Sequence, residues 1–155
     1  MGYFRLKILN RLFVVYQHKM FKTTGINSKL KDGSHALFFD FDDTTLERVK
    51  FELRACQIQY DLPKIYIINT GKPTNFHAYC LRRTPFKRAL QIVLTCPSID
   101  MTFVRFAIWR GHFTLRVDSK NGRDLEGIEV LPSNKKESLT VNDFNSFTKY
   151  ETASG

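Results

Sequence analysis

The amino-acid sequence predicts an α/β (α+β) protein in which a mixed β-sheet is flanked by helices, and three observations carry that expectation. The run "ALFFDFD" has the apolar and aromatic composition of a strand covered on both faces. The segment after it, "LERVKFELRACQIQ", sets Leu46, Val49, Leu53 and Cys56 at helical spacing, so a helix should pack against that strand. Two strands, two helices and one more strand follow, an order that lays helices on at least one face of a sheet.

Each element follows from local chemistry. Turn residues in "LKDGSH" precede the first core strand, and Asp43 stands where a helix cap is wanted ahead of Leu46. "YDLP" ends that helix. "KIYIINTG" reads as a second core strand and "NFHAYCL" as a third, joined by the short loop "TGKPT". Thr84 and Pro85 suit the N-cap and first helical position of "TPFKRALQIVLTC", where Phe86, Ala89, Leu90 and Val93 form an apolar stripe. After "PSID", Thr102 is placed to cap "TFVRFAIWR", which Gly111 can end in a left-handed turn. From His112 strict alternation begins, with Phe113, Leu115 and Val117 on one face and His112, Thr114, Arg116 and Asp118 on the other, as in a half-buried strand.

A length of 155 residues and an ordinary composition point to one globular domain with a real core. The formal net charge of +9 is uneven, since the first thirty residues hold six Lys or Arg and no acid. A basic, aromatic-rich chain of this kind suits a polyanionic partner. "YFRLKILNRLFVVYQHKMFK" reads first as a basic amphipathic helix packed on the domain, second as a nucleic-acid-binding arm and third as a targeting segment. "SNKKESLTVNDFNSFTKYETASG" is polar enough for a loose tail. The expected division is therefore a basic N-terminal helix or arm over 1–30, an α/β catalytic domain over 31–132 and a polar, flexible tail over 133–155. Cys56, Cys80 and Cys96 form no CxxC pair and no Cys/His grouping, so they are expected to be reduced thiols, and no zinc is expected. No apolar run approaches the roughly 20 residues that span a bilayer, so no membrane partner is expected. "MGYFRL" lacks the Ser or Thr of a myristoylation motif.

Three constellations carry chemistry. Asp40 and Asp42, two apart on a strand, share a face at a spacing of roughly 7 Å. Both can reach a pair of divalent cations, which in nucleotidyl transfer lie about 3.5–4 Å apart, and oxygen ligands favour Mg²⁺ or Mn²⁺. The plainer alternative is a solvated strand end or a helix cap. In "NTGKPTNFHAY", Thr70 and Gly71 offer backbone N–H groups to phosphate, Lys72 adds a cation and His77 can donate to a phosphate oxygen; a hairpin turn with a partly buried histidine is the alternative. In "PSIDMTFVRFAIWRGHFTLRVDSK", either Asp100 or Asp118 can be a third metal carboxylate. Arg116 can clamp a triphosphate, and Lys120 can neutralise it or a template backbone. A helix cap for Asp100 and surface ion pairs for the others are the alternatives.

Taken in order, "FFDFD", "TGKPTNFH", "ID" and "TLRVDSK" resemble the motifs of the archaeo-eukaryotic primase, or primase-polymerase, superfamily: a hydrophobic strand with DxD, a small-residue loop leading to a histidine, a hydrophobic-Asp motif and a later basic segment. The resemblance spans roughly residues 36 to 120. It implies a primase-polymerase core with an RRM-like sheet and a DNA-directed nucleotidyltransferase with two Mg²⁺ or Mn²⁺ ions. Asp40, Asp42 and Asp100 would be the metal carboxylates, Asp100 being favoured over Asp118, and His77 would act in catalysis and contact the triphosphate. Thr70, Lys72, Arg116 and Lys120 would bind nucleotide or template. The implied partners are single-stranded DNA, nucleoside triphosphates and a helicase or other replication proteins of a phage or plasmid-type replicon, working in the cytoplasm of the host.

Two other classes compete. "DFDDT" also resembles the DxDxT signature of haloacid-dehalogenase-like Mg²⁺-dependent phosphatases, with Asp40 as nucleophile and Asp42 as acid/base, and "IYIINT" resembles their second motif. The later acidic pair of that family is missing, and Thr45 stands where an apolar residue is usual. The third class is a non-catalytic basic nucleic-acid-binding protein, in which Asp40 and Asp42 are incidental. In the primase-polymerase reading Asp43 is left as a helix cap rather than a metal ligand.

Overall fold

Strand β4 (His35–Phe41) is buried along nearly its whole length, with Ala36, Leu37, Phe38, Phe39 and Phe41 fully out of water. Such a strand needs cover on both faces, and the surrounding elements supply it. The structure, a computed structural model, describes residues 2–8, 11–17, 20–117, 126–144 and 147–153. Ahead of β4 lie β1 (Gly2–Ile8), β2 (Arg11–Gln17) and β3 (Met20–Asn27). After it come α1 (Leu46–Tyr60), β5 (Ile65–Asn69), β6 (Phe76–Thr84), α2 (Phe86–Val93), α3 (Met101–Arg110), β7 (Thr114–Arg116), β8 (Glu126–Leu131) and β9 (Phe147–Ala153). The α+β class expected from the sequence is the one observed.

The main sheet has the order β4-β6-β5-β8. Strands β4 and β5 both pair antiparallel with β6, so they run parallel to each other with β6 between them and α1 as the crossover. This is a split β-α-β unit. Every ladder among the described residues is antiparallel, which corrects the expected mixed sheet: β6 turns straight back from β5 through a short loop, and that connection only permits an antiparallel neighbour.

Register assigns the faces. Opposed residues share a face, so Phe39 with Ala78 and Leu37 with Cys80 form one side, and Asp40 with His77 and Phe38 with Tyr79 form the other. The first side meets the helices: Cys56 of α1 lies beside Cys80, and its thiol reaches the Ile92 carbonyl of α2 at 3.8 Å. On the second side Phe38 packs edge-on to Tyr79 and stacks on Phe144, while Asp40 and His77 occupy the strand ends. The three cysteines are free and buried.

A second sheet, β7-β3-β9, carries Arg116 opposite Gly25. It corrects two expectations. Residues 1–30 contain three strands rather than a basic helix, because "RLFVVYQ" concentrates β-branched and aromatic residues that favour extended backbone over helix. The described residues from 133 onward are not a loose tail. Leu139 is buried, a 3₁₀ turn spans Val141–Asp143, and β9 pairs with β3 from Met20 to Ile26. Arg83 fixes this segment by pairing with Asp143 at 3.0 Å and with Asp32.

Three expected caps also change. Asp43 sits at φ 52, a left-handed conformation that aspartate tolerates, and Thr45 caps α1 by accepting the Arg48 N–H. Thr84 belongs to β6, and Pro85 flanks α2 without any side-chain cap. Asp100, not Thr102, caps α3; Gly111 ends that helix at φ 77 as expected. No helix among the described residues is long and apolar enough to cross a membrane.

The buried side of β4 and the outer side of α1 make a stability test. Phe39, wholly buried between sheet and helices, should cost about 3–5 kcal/mol when replaced by Ala. Ile58, 75 % exposed on α1, should change stability by less than about 0.5 kcal/mol on the same replacement. Urea unfolding that gave equal losses would contradict this packing.

Candidate active site

Near the end of β4 one residue, Asp40, is partly exposed between the buried Phe39 and Phe41, and it is a carboxylate. Asp40 stands directly opposite His77 on β6. Its backbone carbonyl accepts the Asp100 N–H at 2.8 Å, which brings the start of α3 against the strand end. Across from both, Arg116 on β7 donates from Nη2 to the Thr70 carbonyl at 2.9 Å. Four residues expected from sequence to act together, Asp40, His77, Asp100 and Arg116, thus meet at one place, with Asp42 just beyond β4.

The electrostatics reflect that crowding. Burial first, and then the neighbouring charges of Asp42 and Asp100, push the Asp40 carboxyl up to about 8 against the opposing charge of Arg116. His77 is pushed down to about 3, first by burial and then by the Arg116 charge. The Asp40 Oδ1 to His77 Nε2 separation of 3.7 Å is therefore a contact between a protonated acid and a neutral imidazole at pH 7, not an ion pair. Among the described residues His77 Nδ1 is buried with no hydrogen bond of good geometry, although the Arg116 backbone lies close enough to the ring to favour its charged form. An unsatisfied buried ring nitrogen costs stability and is the kind of atom that a ligand completes.

Two residues that sequence reading gave no role hold the acidic groups in place. Asn75 donates from Nδ2 to Asp42 Oδ1, and its own Oδ1 accepts the Asp43 N–H at 3.4 Å. The loop after β4 is thereby tied to the loop before β6. Glu52, buried on α1, accepts the Ser98 N–H at 2.9 Å and the Ser98 hydroxyl at 2.7 Å, while Arg48 pairs with it from one turn earlier. That anchors the segment leading to Asp100. The signal for Glu52 was present in the sequence: it falls between Val49, Leu53 and Cys56 on the apolar stripe of α1, where an unpaired acid is not tolerated.

Other expected roles are not seen in this arrangement. The turn does not offer free N–H groups to phosphate, since the Thr70 N–H donates to the Asn75 carbonyl at 3.1 Å and the Gly71 N–H donates to Asn69 Oδ1 at 2.8 Å. Thr70 instead presents its carbonyl to Arg116. Lys72 is exposed in the turn and makes no side-chain contact with the site among the described residues. Asp118 and Lys120 lie outside the described residues.

Asp100 spends both oxygens on its own helix, accepting from Thr102 N–H at 2.8 Å and Phe103 N–H at 3.2 Å. With Asp100 so engaged and Asp42 held by Asn75, no group of three or more His, Cys, Asp or Glu side chains among the described residues is set to hold a metal ion. Asp40 and Asp42 still have the oxygen chemistry that a hard divalent cation selects, and the pKa of Asp40 is raised by burial and then by neighbouring carboxylates, both of which a cation would offset. The chain matches no family model, no curated protein and no solved structure.

A pH test follows for the protein in chelator. A carboxyl whose folded pKa is raised binds its proton more tightly folded than unfolded, so its contribution to stability falls as pH rises from 3.8 towards about 8. The depressed His77 acts oppositely, its contribution falling as pH drops from 6.5 towards about 3. Of these two groups only Asp40 contributes a slope between pH 6.5 and 8. Stability there should fall with rising pH by at most about 1.4 kcal/mol per pH unit, and Asp40→Asn should flatten it. A slope unchanged in that variant would show that Asp40 ionises normally.

Proposed function

We propose that the chain is a small nucleotidyltransferase of primase-polymerase type, joining nucleotides on a single-stranded DNA template in replication of a phage or plasmid-type replicon. The observation that supports this reading is the meeting of Asp40, Asp42, His77, Asp100 and Arg116 at one end of the split β-α-β sheet, in the chain order of the motif resemblance and with Asp40 on β4 beside His77 on β6. Asp40 and Asp42 would hold Mg²⁺ or Mn²⁺, and Asp100 would join them on releasing its helix cap. Ions bound there supply charge neutralisation at the attacking hydroxyl and the leaving pyrophosphate.

The chain's own residues divide the remaining work. Asp40, mostly protonated at pH 7, has to lose its proton before it can ligate, so activity should rise with pH towards about 8. Neutral His77 can donate a ring N–H to a phosphate oxygen without adding charge beside Arg116. Arg116, held by the Thr70 carbonyl, places a permanent cation where a triphosphate would need one. Asn75 fixes the direction in which Asp42 points.

The test is primer synthesis and extension on a single-stranded template with Mg²⁺ or Mn²⁺. Asp42→Ala and His77→Ala should each lower product by about a hundredfold or more, and equal product from wild type and both variants would sink the reading. Binding is read separately by thermal unfolding. Mn²⁺ should raise the wild-type Tm, more so at pH 8 than at pH 6, and should leave Asp40→Asn unmoved.

A further inference from the structure

Helix α3 buries Phe103, Val104 and Ala107 against the core, which is the apolar stripe one helix needs. Its opposite side should then be polar, and it is not. Met101 and Phe106 are each 49 % exposed, Ile108 is 59 % exposed and Trp109 is 79 % exposed. Between them stand Arg105 and Arg110, and the Arg110 guanidinium lies over the Phe106 ring at 5.0 Å. Arg105 is one helical turn before Trp109, and so is Phe106, so the indole is flanked by a cation on one side and a second ring on the other.

A surface of this size and kind marks a binding face, and its chemistry selects the partner. No carboxylate among the described residues pairs with Arg105 or Arg110. The outer face of α3 thus combines aromatic planes with cations and carries no acid between Met101 and Arg110. Two arginines without a carboxylate partner add positive potential to the aromatic planes, and a flexible polyanion with flat apolar bases matches both components. The helix also begins at Asp100, whose N–H is bonded to the Asp40 carbonyl, so a strand lying along α3 runs directly up to the carboxylates.

We infer that the outer face of α3 is a stacking platform for single-stranded nucleic acid, with bases on Trp109 and Phe106 and phosphates at Arg105 and Arg110. What the bound strand is used for rests on the polymerase reading; the platform itself rests on α3. It binds by stacking and charge, so it does not select sequence, and it prefers single strands to duplex because paired bases present no free faces.

Trp109 is the sole tryptophan of the chain, so its fluorescence reports directly on this face. The experiment titrates oligo-dT and oligo-U, about 20 nucleotides long, in the absence of nucleotide and divalent cation. Expected are quenching of the indole and a fluorescence anisotropy change of the labelled oligonucleotide. Trp109→Ala should weaken binding roughly 5- to 150-fold. Arg105→Gln with Arg110→Gln should reduce the slope of log K against log salt by about 1.4, at about 0.7 for each lost phosphate contact. All three positions are solvent-facing, so circular dichroism should confirm that the variants fold. Wild-type affinity in Trp109→Ala, an unquenched indole, or no binding of either oligonucleotide overturns the platform. So does a finding that Trp109→Ala dissociates a dimer in sedimentation while leaving nucleic-acid affinity intact, because the face then belongs to a second copy. Primer synthesis by Asp42→Ala is measured separately, so full synthesis by that variant would remove the polymerase reading without touching the binding result.

Discussion

The arrangement at the end of β4 depends on one constraint: a carboxyl group, its side chain 21 % exposed, is held among packed groups on a strand whose other residues are buried. Ionising a group in such a place is costly unless a positive charge lies close by. The protein answers only in part. Arg116 faces the carboxyl, but Asp42 and Asp100 stand near it too, and the balance leaves Asp40 protonated at neutral pH. His77 cannot restore the balance, because the same burial and the same arginine hold it neutral. The site is thus a set of groups kept away from the charge states they adopt in water, which is the usual condition of a functional site rather than of a structural ion pair.

Such a set persists only when its surroundings over-determine it. Here the surroundings act through the backbone and through two polar side chains. The Asp100 N–H bonded to the Asp40 carbonyl joins α3 to the strand. Glu52 fixes the chain two residues before Asp100, and Asn75 fixes the residues after Phe41. Each of these anchors belongs to a different element, α1, β4 and the β5–β6 loop, so the position of the acidic groups is set by the packing of the whole main sheet. A distortion anywhere in that sheet is felt at Asp40.

Much of this was legible in the sequence where it depended on neighbours in the chain. The period of Val49, Leu53 and Cys56 announced α1, and the aromatic run announced β4 and its acidic end. The left-handed glycine at position 111 was readable from its place after "FAIWR". What depended on distant residues was not. The N-terminal segment looked helical because its apolar residues can be fitted to a helical face, yet its β-branched and aromatic run pairs as strands. Residues 147–153 looked like tail because their polar composition says nothing about β3, which pairs with them from the other end of the chain. The Asp100 cap and the internally satisfied Thr70 turn stood only as the plainer alternatives for a related reason: the DxD and histidine motifs give residue types and order, whereas a hydrogen-bond partner is a matter of geometry.

The pairing of β3 with both β7 and β9 has a kinetic consequence. Arg116 reaches the site only once β7 lies on β3, and β3 gains its other neighbour from nearly the far end of the described chain. Contacts between residues so distant in sequence close large loops, and proteins dominated by them fold on the order of milliseconds to seconds rather than microseconds. The split β-α-β unit, built from nearer neighbours, can form first. Until β7 docks on β3, the acidic end of β4 stands without its arginine.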